Sequence, residues 1–111
     1  MYILFGIKTG DAEVARSWIE AAVGVAGEAR TNDYNGDYYT FKSTNAERAK
    51  LISGICQDED GAYPAEANFP DRKLLLYLDN IRPESAWLKA IENLPQKFEK
   101  LRTDLISEPS R

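Results

Sequence analysis

Lys73-Leu74-Leu75-Leu76-Tyr77-Leu78 is the most continuous apolar run in the chain, and Asp79-Asn80 ends it. A strand points successive side chains to opposite faces, so an unbroken apolar run this short predicts a central strand covered on both sides. Tyr2-Ile3-Leu4-Phe5-Gly6-Ile7 reads the same way, with Tyr2, Leu4 and Gly6 on one face and Ile3, Phe5 and Ile7 on the other.

Each of these strands leads into a helical pattern. After the first, Thr9 or Asp11 is placed to cap a helix whose stripe is Val14, Ala15, Trp18, Ile19 and Ala22, with Arg16, Ser17 and Glu20 opposite and Gly24 or Gly27 as a stop. After the second, Pro83 suits a first helical turn. Glu84 is favourable at the positive end, Trp87, Leu88, Ile91 and Leu94 form the stripe, and Pro95 closes it. Between the two units, residues 27–31 and 37–41 predict a hairpin about Asn35-Gly36, and residues 43–47 a turn. Residues 49–55 admit helix or strand, Gly54 favouring the strand; residues 98–106 also fit both. The order β, α, several strands, β, α and one last element describes a single domain over residues 1–111. Its fold is α+β, a mixed or largely antiparallel sheet with two helices packed against it.

The chain has 111 residues, 43% of them hydrophobic, which suffices for one independently folding core. No apolar stretch approaches the roughly 18 residues of a membrane helix, and the short N-terminal run lacks the basic residues of a secretory signal. With Cys56 as the only cysteine, no internal disulfide is possible, and a cytoplasmic location is expected. There is no histidine. That removes the usual general base near neutral pH and the commonest transition-metal ligand, so the expectation is no enzyme, no cofactor and no metal.

The net charge of -4 has a location. Residues 56–72 set Arg72 alone against Asp58, Glu59, Asp60, Glu66 and Asp71, which matches the whole-chain excess. Pro64, Pro70 and Gly61 mark this stretch as a long loop, a length that is often functional, although a solvated loop without a partner is an equal reading. Such a loop repels nucleic-acid phosphates and attracts a surface rich in lysine and arginine.

Other motifs carry less. Asp58-Glu59-Asp60-Gly61 lacks the ligand spacing of a calcium loop, and Gly6-Ile7-Lys8-Thr9-Gly10-Asp11 has its lysine before rather than after the second glycine of a phosphate loop. Tyr34, Tyr38, Tyr39 and Phe41 resemble a base-stacking platform, but Asp33 and Asp37 flank them, so direct nucleic-acid binding is not expected. Tyr39 and Phe41 share one face and Tyr38 the other, one set belonging to the core. Trp18 and Trp87 read as core residues and Cys56 as a small filler.

Gly36-Asp37-Tyr38-Tyr39, the short strand ending near Leu51-Ile52, the acidic loop, Phe69-Pro70-Asp71 and Leu75-Leu76-Tyr77-Leu78 together resemble bacterial immunity proteins of polymorphic toxin systems, including contact-dependent growth inhibition. The pattern departs at Ser53-Gly54-Ile55-Cys56, where a polar loop residue such as asparagine is expected. The resemblance implies a cytosolic antitoxin, a toxin inhibitor acting by protein-protein interaction. It would bind one cognate toxin domain, commonly a basic nuclease, and cover its active site or substrate path. Asp58, Glu59, Asp60 and Glu66 would then pair with basic toxin residues, Tyr63 would anchor the loop, and Asp33, Asp37 and Tyr38 would contribute if the hairpin lies beside it. The rival readings are a small α+β enzyme or ligand sensor using a carboxylate between sheet and helices, and an adaptor subunit of a larger assembly. The oligomeric state stays open.

Overall fold

A computed structural model of the protein describes residues 2–32 and 36–104. Among them the chain forms β1 (Tyr2–Ile7), α1 (Ala12–Val23), β2 (Glu28–Asn32), β3 (Gly36–Lys42), β4 (Arg48–Ser53), β5 (Ile55–Asp58), β6 (Gly61–Pro64), β7 (Leu74–Asp79), α2 (Ala86–Glu92) and β8 (Phe98–Asp104). Six strands make one sheet in the order β2-β3-β4-β7-β1-β8, every neighbouring pair antiparallel, while β5 and β6 form a separate two-stranded hairpin. The fold is α+β, as the element order predicts.

The sheet order makes β1 and β2 run the same way, and likewise β7 and β8. Each such pair needs a crossover, and the helices supply them. Both helices pack on one face, where Ile3, Phe5, Ile7, Leu74, Leu76 and Leu78 meet Ala15, Ile19, Trp87, Leu88 and Ile91 in one buried cluster. The opposite face is covered only in part: Leu4, Ile52 and Leu75 are buried there beneath Ala65 and Phe69, with Tyr38, Tyr77 and Leu101 around them. β1 and β7 are thus covered on both faces, as their sequences demand.

Local chemistry fixes the helix ends. Asp11 caps α1, its Oδ1 accepting from the Glu13 and Val14 amides at 2.9 and 3.2 Å, while Thr9 Oγ1 accepts from the Asp11 amide. Gly24 ends the helix at a φ of 77°, a left-handed position that costs glycine nothing. Val14, expected in the apolar stripe, is 37% exposed; Ala15, Ile19 and Val23 are the buried positions, four residues apart. Helix α2 begins later than Pro83 suggests. The buried Ser85 hydroxyl accepts from the Leu88 amide at 3.3 Å, so the helix starts at Ala86 and Pro83 belongs to the preceding turn. Trp87 is buried and Trp18 partly so, its ring edge-on to Phe98 with Lys97 over it.

Residues 48–53 are a strand, as Gly54 favoured, and residues 98–104 are a strand along β1. A register shift between Leu4 and Phe5 lets the β8 edge bulge at Leu101. Residues 56–72, read as one loop, begin instead with the β5–β6 hairpin, and bends and turns lead from it to β7. The hairpin's strands have four residues each, with Cys56 the buried position, too short for alternation to register in the sequence. No helix among the described residues is long and apolar enough to cross a membrane.

Candidate functional site

The hairpin starts where the chain leaves the sheet at Gly54. A methyl group there would lie 1.8 Å from the Arg72 carbonyl oxygen, so only glycine fits. The Gly54 amide donates to Lys73 O and its carbonyl accepts from the Ala65 amide, both at 2.8 Å, which pins both ends of the hairpin to the entry of β7. Between these anchors, Cys56 turns inward and is buried, while Ile55, residues 57–62 and Tyr63 are exposed.

Asp58, Glu59 and Asp60 come together at the hairpin's tip. Asp58 Oδ1 accepts from the Asp60 amide at 2.8 Å, and Gly61 completes the turn at a φ of 117°. Among the described residues none of the three carboxylates has a salt-bridge partner. The exposed large apolar side chains among those residues are Val14, Ile55 and Tyr63, and the last two, 41% and 38% exposed, belong to this same hairpin.

Glu66 behaves differently from the other acidic residues. Its side chain is only 16% exposed; Oε2 accepts from the Tyr77 hydroxyl at 2.7 Å and Oε1 from Arg102 Nη1 at 3.0 Å. Burial pushes the Glu66 carboxyl up, but the hydrogen bonds from Tyr77 and Arg102 and the attraction of the guanidinium outweigh it and hold the group below its usual range. Burial and the bond to Glu66 raise the Tyr77 phenol well above its ordinary value. Glu66 therefore clamps the loop after β6 onto the sheet and does not face outward. Arg72 makes the second clamp: it pairs with Glu99 at 2.9 Å and lies across β1 at Gly6, where a methyl group would come within 3.1 Å of its Cδ and Nε.

The remaining residues of the predicted surface are dispersed. Asp37 is exposed on the helix-side face, in line with Tyr39 and buried Phe41, whereas the hairpin lies over the other face. Tyr38 is on the hairpin's side but packs against the Leu4–Ile52–Leu75 cluster, with Lys50 over its ring at 5.2 Å. Asp33, and Tyr34 with it, lie outside the described residues. Tyr77, Arg102, Arg72 and Gly54, which shape the site, are not among the site residues expected from the sequence. Among them only Tyr77 carries a local signal, as the one polar-tipped residue in the leucine run.

Among the described residues no group of three or more His, Cys, Asp or Glu is placed to hold a metal ion. Fold and site together define a layered α+β protein, helices on one sheet face and an acid-tipped hairpin on the other. No protein-family model matches the chain, and no curated protein matches it in sequence.

Proposed function

We propose that the protein is a toxin-neutralising immunity protein that docks a basic toxin domain through the β5–β6 hairpin. The observation that carries the reading is the composition of that hairpin: Asp58, Glu59 and Asp60 without cationic partners among the described residues, beside exposed Ile55 and Tyr63. Apolar and aromatic side chains supply affinity where water is excluded, and like-signed charges at the rim steer an oppositely charged surface into register. A nuclease domain is such a surface, since it must hold phosphate backbones. The hairpin tip would stand where those phosphates bind and oppose substrate entry. Glu66 is excluded from this surface because Tyr77 and Arg102 engage it internally.

The test is protection in cells. The toxin domain encoded beside this protein's gene is expressed with the wild-type chain or with Asp58→Lys/Glu59→Lys/Asp60→Lys. Wild type is expected to restore growth and the triple variant to fail while remaining folded by circular dichroism. Equal protection by both, or a neighbouring toxin domain that is acidic, contradicts the reading.

A further inference from the structure

We propose that the helix-free face of the sheet carries a second site, a cavity that binds a small organic anion with a flat apolar body. Strand register builds it. On this face Lys42 stands across from Arg48, and Arg48 from Asp79; in the next row Thr40 stands across from Lys50, and Lys50 from Tyr77. The hairpin and the following loop cover the sheet up to Ile52 and Leu75 but leave these two rows open, and a cavity of about 500 Å³ remains, bounded also by Tyr2, Cys56 and Ala65. That volume lies in the range of small-molecule sites.

The charge of the occupant follows from what the cavity lacks. Three cations face one carboxylate, and like charges directly across strands, as at Lys42 and Arg48, destabilise a sheet. The Lys42 side chain has no hydrogen-bond or ion-pair partner among the described residues. Arg48 donates to the Glu47 carbonyl, and Lys50 lies over the Tyr38 ring. Asp79, the single acid, already accepts from the Asn80 amide at 2.9 Å. Between them, the Thr40 hydroxyl is shielded from solvent with no partner of its own. That hydroxyl is out of an occupant's reach, but the ammonium groups of Lys42 and Lys50 would bond an oxyanion held in the cavity.

The shape of the occupant follows from the walls. Tyr2 and Tyr77 stack with centroids 5.6 Å apart and an interplanar angle of 30°, and Ile52, Cys56 and Ala65 add apolar surface. A planar ring system lies against such a wall with its anionic group toward Lys42 and Lys50. A nucleic-acid strand fits worse, because the chain as a whole carries a net charge of -4.

The probe is 8-anilinonaphthalene-1-sulfonate, with N-phenyl-1-naphthylamine as the same ring system without the charge. Binding is followed by fluorescence and by amide chemical shifts. The anionic probe is expected to saturate at one site, with shifts at Thr40, Lys50 and Tyr77. Lys42→Ala/Lys50→Ala should weaken it about tenfold, while the neutral probe changes less than about twofold. Parallel losses for both probes, shifts outside β3, β4 and β7, or tighter competition by a single-stranded oligonucleotide than by the sulfonate would each overturn the proposal.

Discussion

The Tyr77 hydroxyl donates to Glu66 Oε2 over 2.7 Å, joining the middle of a central strand to a loop eleven residues earlier in the chain. With Arg102 on the other carboxylate oxygen, this bond holds the segment after the hairpin against the sheet. Tyr77→Phe removes one donor and leaves a largely buried carboxylate with Arg102. The expected loss is about 1–2 kcal/mol in chemical denaturation, with faster amide exchange at residues 65–69 than in the helices. An unchanged midpoint and unchanged exchange would remove the clamp from this account.

The same pair contributes to the pH limits of stability at both ends. The Glu66 carboxyl is held below its unfolded value, so its stabilisation is complete above that value, near pH 4.3, and disappears as pH falls through the folded value. Tyr77 is raised, so its contribution is complete below about pH 10, the unfolded phenol value, and is lost as pH climbs further. Thermal melts should be flat across neutral pH and decline at both ends. Glu66→Gln is expected to blunt the acid decline and Tyr77→Phe the alkaline one; variants that follow wild type at both ends would refute the assignment.

Gly54→Ala tests the crossing that launches the hairpin. With a carbonyl oxygen 1.8 Å from the new methyl group, either the hairpin or the entry of β7 must move, at a cost of about 2–4 kcal/mol. Gly36→Ala, at a left-handed turn position with open space around it, serves as the comparison, and a loss of only about 1 kcal/mol is expected. Denaturant midpoints in the reverse order would contradict this.

Ser85→Ala removes the buried cap of α2 and leaves the Leu88 amide without its acceptor. About 1–2 kcal/mol should be lost, and Ser85→Asp, which keeps an acceptor, should recover part of it. Equal stability of the three proteins in urea would show that the cap contributes nothing.

What the sequence disclosed follows from how far each signal reaches. Residues 2–7 and 74–78 announce central strands because both of their faces are apolar, and Asp11 and Gly24 bracket α1 with local chemistry alone. Val14 misleads because a stripe of alternating alanines and larger residues fits more than one helical face. The β5–β6 hairpin escapes because four-residue strands with one inward side chain show no period. Glu66 reads as one acid among several until Arg102, thirty-six residues away, is placed beside it. Likewise Lys42, Arg48 and Lys50 read as solvated charges until the register sets them in adjacent rows.

The hairpin-docking account is tested most directly by the association rate of whichever basic toxin domain the protein is found to neutralise, with wild type and with Asp58→Asn/Glu59→Gln/Asp60→Asn, measured by stopped flow from low to high salt. The account predicts that wild type associates about tenfold faster at low salt and that the advantage shrinks toward high salt as the charges are screened. Equal rates at every salt concentration, with equal final affinity, would show that the acidic tip takes no part in binding.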